Sequence, residues 1–203
     1  MTGYGDFKEV VDNPSWRAVS TLENELMIDG VVVKIVKRKF RVAWQDIHDF
    51  YWADDMEGGF AEVCRKHGCM PLMCLHCGID GQSEKIKLER FAYNSAAAVY
   101  DIDNKLPKCS EIDDAREGDF RLTTMLPLTS LCEKLSETNE GVIVSDDAGR
   151  YLCNYVYYNA MWKCEQLKSR CNVLFVHVPK ETHIFTIPYL TDILKKTIIL
   201  SIQ

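Results

Sequence analysis

A chain of 203 residues has room for one substantial hydrophobic core and is short for two, so residues 1–203 read as a single α/β domain. A formal charge of −6 argues against a surface built for nucleic acid or an anionic membrane, and 47% hydrophobic content is that of an ordinary soluble protein. No apolar run is long enough to span a bilayer, the start lacks the pattern of a signal peptide, and an odd number of cysteines, nine, suits a reducing, cytoplasmic setting.

Asn13 is placed to cap a helix that has Pro14 in its first turn. Trp16, Val19, Leu22 and Leu26 recur at helical spacing, which extends that helix toward Gly30. Residues 31–36 follow as a β-branched strand. The basic residues Lys34, Lys37, Arg38, Lys39 and Arg41 form its solvated face and continuation. Helices are expected over 43–52 and, beyond Gly58-Gly59, up to Gly68. Residues 71–78 are an apolar run bounded by turn residues, the pattern of a strand covered on both faces of a parallel sheet. Residues 141–145 and 173–178 share it. Helical patterns occupy about 127–135, 149–170 and 189–200, the last started by Pro188. Residues 101–119 are polar, broken by Pro107 and Gly118, and read as a long surface loop. Strands alternating with helices imply a three-layer α/β/α sandwich around a mainly parallel central sheet.

In such sheets, active sites lie beyond the carboxyl ends of the strands. The run from Val144 to Cys153 is a strand, a turn and the opening of a helix. A cysteine there meets unpaired amides and the positive end of the helix dipole, which favour the nucleophilic thiolate. His177 ends another strand, just before Pro179, where an imidazole could share a proton with that thiol. A third group would be needed to orient the imidazole, and acidic residues are too numerous for spacing to choose one.

Four blocks resemble those of the type I pyroglutamyl peptidases. Ala148-Gly149-Arg150-Tyr151-Leu152-Cys153-Asn154, with Tyr157-Tyr158 beyond, is similar to their nucleophile block. Phe175-Val176-His177-Val178-Pro179 resembles their histidine block, and Glu89-Arg90-Phe91-Ala92-Tyr93-Asn94 the block with their acidic residue. Thr2-Gly3-Tyr4-Gly5-Asp6-Phe7, then Asn13-Pro14-Ser15-Trp16, resembles their N-terminal signature. The resemblance implies a thiol peptidase with Cys153 as nucleophile, His177 as general base and acid, and Glu89 orienting the ring. It further implies a pyroglutamyl pocket built with Tyr4, Phe7, Tyr151 and Leu152, and Asn13 ordering the site. Small peptides with an N-terminal pyroglutamate would be the substrates, with no cofactor. Pyroglutamate is a neutral lactam, so its pocket needs apolar walls and a few fixed hydrogen bonds.

Departures from that pattern carry expectations too. Members begin with a short apolar strand ahead of the Thr-Gly block; Met1 stands where it would end, so the first strand is expected to be missing. Asp6 replaces a usual proline and Lys8 a usual glycine, and a lysine held at positive φ is strained. Residues 91–104 lack the arginine that bacterial members place near the oxyanion, although Arg90 is close; Ile79 replaces a polar pocket residue. A second reading is a member that keeps the triad but has lost turnover or gained a binding or regulatory role. Cys64, His67, Cys69, Cys74, His76 and Cys77 invite a zinc reading, but Cys74 and Cys77, three apart on a strand, face opposite ways. No metal is expected there; these cysteines read as small buried hydrophobes.

Overall fold

The structure is a computed structural model that describes residues 1–137, 139 and 141–203. In chain order the elements are β1 (Thr2–Tyr4), α1 (Pro14–Thr21), β2 (Glu25–Ile28), β3 (Val31–Lys34), β4 (Arg38–Phe40), α2 (Trp44–Trp52) and α3 (Phe60–His67). Then follow β5 (Met73–Ile79), β6 (Ile86–Glu89), β7 (Phe91–Tyr93), β8 (Arg121–Thr123), α4 (Leu128–Ser136), β9 (Val142–Ser145), α5 (Leu152–Gln166), β10 (Asn172–Val178) and α6 (Ile187–Ile202). Six strands form one sheet in the order β4-β1-β5-β10-β6-β9. All its pairings are parallel except β10 with β6. The expected sandwich is therefore present: α1, α4 and α6 share one core with one face of the sheet, and α2, α3 and α5 share a second core with the other.

β5 and β10 are the apolar runs read as doubly covered strands, and both are buried along nearly their whole length. Cys77 belongs to the first core and Cys74 to the second, as their spacing on a strand requires. β1 is formed by the Thr-Gly-Tyr block itself, between β4 and β5, with its ladder to β5 limited to Thr2 opposite His76. The loop after Tyr93 has no helix or strand before Arg121, as expected for 101–119. Asn94 organises it, donating to the carbonyls of Asp113 and Arg116 and accepting from the amides of Ile112 and Asp113.

Several elements differ from the sequence reading. α1 stops at Thr21, and Leu26 lies in β2, where Leu26 and Ile28 point inward and Glu25 and Met27 outward. Asp29 and Gly30 have φ of 48° and 79°, the pair of left-handed residues that a two-residue hairpin loop demands. The Leu22–Leu26 spacing fits a helix, but the Asp-Gly turn and the two-residue alternation decide the outcome. The strand expected over 31–36 ends at Lys34 and pairs only with β2, outside the main sheet. The basic stretch after it becomes β4, an edge strand of the main sheet. Arg38 there is no solvated charge: it lies over the Phe50 ring at 5.1 Å and donates to the Gly58 carbonyl at 2.7 Å. β6, β7 and β8 are too short and too mixed in polarity to stand out in the sequence.

Candidate active site

Cys153 is the second residue of α5, after Tyr151 at the N-cap and Leu152, and no side chain caps that helix. The first amides of α5 are thus left for a ligand or a developing charge. The thiol sits over β5. A β-carbon placed on Gly78 would stand 3.0 Å from the Cys153 sulfur and 2.7 Å from Cζ of Phe175. Gly78 is therefore glycine because two side chains occupy the space above it. We expect Gly78→Ala to destabilise the fold by about 1–3 kcal/mol through overpacking. Pushing the thiol off its position should also lower kcat by about a hundredfold. Thermal unfolding and steady-state kinetics check both effects, and an unchanged kcat would refute the close approach.

His177 is opposite Gly78 in the parallel β5–β10 ladder and is almost fully buried. β6 runs antiparallel to β10 with Glu89 opposite Phe175, which makes Glu89 the diagonal neighbour of His177 on the same face. The fully buried Glu89 carboxylate meets His177 Nδ1 at 2.7 Å. The Cys153 sulfur lies near enough to this imidazole to favour its charged form. Burial opposes a charge on His177, but the negative charge of Cys153 and the Glu89 carboxylate outweigh burial and lift the ring to about 10. The ring therefore holds its proton at neutral pH. Phe175 packs against it with centroids 4.7 Å apart.

A cysteine at a helix N-terminus, a histidine beside it and a buried carboxylate on one ring nitrogen can supply a nucleophile, an acid–base and an orienting group. A sequence model of the pyroglutamyl peptidases matches residues 1–186. The chain belongs to that family. Rat pyroglutamyl-peptidase 1 is 27% identical over 183 residues, covering 88% of this chain and 77% of the rat protein. The pyrrolidone-carboxylate peptidase of Brachyspira hyodysenteriae is 27% identical over 182 residues, with 88% and 81% covered. Among solved structures, pyroglutamyl peptidase I of Bacillus amyloliquefaciens superposes with a TM-score of 0.81 at 22% identity, covering 99% of this chain and 94% of the other. Pyrrolidone carboxyl peptidase of Thermococcus litoralis gives 0.80 at 17% identity, with 98% and 90% covered.

The pyroglutamyl peptidase blocks take two kinds of place around the thiol. Phe7 and Tyr151 are partly exposed and pack ring against ring at 5.8 Å, with Trp44 edge-on behind Tyr151 at 5.2 Å. Tyr4 and Leu152 are instead buried and joined: the Tyr4 hydroxyl donates to the Leu152 carbonyl at 2.8 Å. Asn13 is buried as the cap of α1. Its Oδ1 accepts from the Ser15 amide and hydroxyl, and its Nδ2 donates to the Gly5 carbonyl. Ser15 in turn accepts from the Tyr4 amide, so Asn13 is tied to the backbone of the first block.

The residues that depart from the family pattern are accounted for as follows. Asp6 accepts from the Asp12 amide and closes the loop that carries Phe7. Lys8 has φ of 49°, in the left-handed region that favours glycine. Lys8→Gly should stabilise the protein by about 1 kcal/mol by removing that strain. For a chain of this size the expected rise in thermal midpoint is about 2–4 °C, read by calorimetry. A fall would mean that the Lys8 side chain, which lies over the Phe7 ring at 4.8 Å, outweighs the strain. Arg90 is paired with Asp146 at 3.2 Å, on a partly exposed rim. Ile79 ends β5.

Sequence reasoning assigned no role to three residues that hold the constellation. Gly78 cradles the thiol. Tyr157, fully buried, donates to the backbone carbonyl of Glu89 at 2.8 Å. Asn154 clamps the residue after the nucleophile to β7, accepting from the Tyr93 amide and donating to the carbonyls of Tyr93 and Ser95. The last two stand inside the nucleophile block, and a buried polar side chain within about one turn of a helix-terminal cysteine is the available signal. The six residues of the zinc reading do not converge. His76 spends both ring nitrogens on Thr2 and Tyr51, Cys69 is exposed, and Cys77 lies on the opposite face of the sheet from Cys74.

Proposed function

We propose that this protein is a cysteine omega peptidase that removes the N-terminal pyroglutamyl residue from small peptides. The observation that carries the reading is His177 beside the Cys153 thiol and bonded to the Glu89 carboxylate at the mouth of α5. The Cys153 thiolate attacks the carbonyl carbon of the pyroglutamyl residue, and the oxygen that gains charge faces the uncapped first amides of α5. His177 gives its proton to the leaving amine as the C–N bond breaks, which leaves a thioester on Cys153. The neutral imidazole then takes a proton from water, whose hydroxyl attacks the thioester, and returns it to the sulfur. Glu89 holds Nδ1 and keeps the other ring nitrogen toward sulfur. Phe7 and Tyr151 wall the lactam ring, with Tyr4, Leu152 and Asn13 fixing the backbone behind them. A reducing cytoplasm suits this chemistry because it keeps Cys153 as a thiol.

Release of fluorophore from a pyroglutamyl-coumarin amide tests the reading. The chain should turn it over in the presence of a thiol reductant and leave the alanyl-coumarin amide, which has a free amine, intact. Iodoacetamide should abolish turnover and a chelator should not. Equal cleavage of both amides, or loss of activity to a chelator alone, would overturn the reading.

A further inference from the structure

Three cysteines remote from the site converge in the second core. Cys74 on β5, Cys164 in the last turn of α5 and Cys171 just before β10 have sulfur atoms within 4.8 Å of one another, and all three are buried. They come from three separate segments, at the end of the sheet opposite Cys153. With a rise of about 1.5 Å per residue, Cys164 lies roughly 16 Å along α5 from the catalytic thiol. The Cys171 thiol donates to the Cys74 sulfur at 3.5 Å.

We propose that Cys74, Cys164 and Cys171 form a buried binding site for a thiophilic divalent d10 cation of the zinc–cadmium class. A zinc–sulfur bond of about 2.3 Å sets the sulfurs of a tetrahedral site roughly 3.8 Å apart, so the trio needs only slight contraction or spreading to close on an ion. The donors are all soft, as such ions prefer. Charge selects the divalent ion: with three thiolates it leaves one net negative charge in an apolar core, where a monovalent ion would leave two. Cys64 on α3 is partly buried and turns its thiol to the Met70 sulfur at 3.8 Å, outside the trio. His76 cannot join, because Thr2 and Tyr51 hold both its nitrogens. On binding, each remaining S–H bond gives way to a metal–sulfur bond and its proton goes to solvent.

The test uses the full chain with Cys153→Ser, Cys69→Ser and Cys109→Ser, which removes the nucleophilic and the exposed thiols, reduced and stripped of metal. Titration with Cd(II) should produce ultraviolet thiolate-to-cadmium absorption that saturates at one ion per chain, and Zn(II) should compete it away. Adding Cys74→Ser or Cys171→Ser should weaken binding by at least about the tenfold that loss of an outer partner alone brings. Should those variants fail to fold, cadmium-edge X-ray absorption on the parent chain replaces them, with at least three sulfurs expected around the ion. Absence of the band overturns the proposal, as do binding that survives the trio variants and a shell with fewer than three sulfurs. A trio that closes a disulfide in air and takes no ion when reduced overturns it equally. The readout is absorption rather than turnover, so its failure leaves the peptidase reading untouched.

Discussion

Cys153→Ala should lower kcat/KM on a pyroglutamyl-coumarin amide by about ten-thousand-fold or more, and His177→Ala should do nearly the same. In the proposed mechanism the thiol forms the acyl-enzyme, and without the imidazole neither the leaving amine nor the attacking water has a proton carrier. Because the two act as one unit, the double variant should be hardly worse than either single one. Additive losses would mean that the two side chains work independently. Cys153→Ala carries a second, physical readout. The negative charge of Cys153 heads the influences that raise His177 to about 10, so the ring should titrate at lower pH in that variant. Nuclear magnetic resonance of the His177 ring measures this, and an unmoved titration would refute the thiolate–imidazolium pair.

Glu89→Gln should lower kcat by about 10²–10⁴-fold while leaving the thiol and imidazole in contact. Glutamine keeps the shape of the side chain but removes a fully buried negative charge from His177 Nδ1. The sign of the pH effect follows. A carboxylate favours the protonated ring, so its removal lowers the pKa of His177. Activity that requires a proton on His177 falls as pH rises through about 10 in the parent protein. In the variant this alkaline limb should move to lower pH. A limb that stays in place, or moves upward, would show that Glu89 does not act through His177.

Much of this architecture was legible because it depends on local patterns. β5 and β10 announce themselves as apolar runs, since a strand covered on both faces has no polar side to show. α2, α4 and α6 follow helical spacing, and Pro188 falls in the first turn of α6 as a missing amide hydrogen allows. The hairpin of β2 and β3 was equally local, yet the spacing of Leu22 and Leu26 masked it. The Asp-Gly pair is the stronger signal, because the turn needs two residues at positive φ that few others supply. Lys8 does stand at positive φ, where the family resemblance has a glycine.

The sequence by itself determined the layered α/β architecture, the helix-terminal cysteine and the strand-terminal histidine, because each is set by neighbours a few residues away. The four blocks also determined the family. Only the tertiary structure decided the rest. Glu89 reaches His177 because β6 runs antiparallel to β10 in one particular register, and a shift of one residue would turn it to the other face. Tyr4 and Leu152 became buried partners through one hydrogen bond, and Phe7 and Tyr151 partly exposed ring neighbours, although they lie far apart in the chain. Cys74 left the cysteine–histidine cluster of its own stretch and joined Cys164 and Cys171 instead. Such meetings depend on strand order and on which face each side chain takes, and these are fixed by burying two cores at once rather than by spacing along the chain.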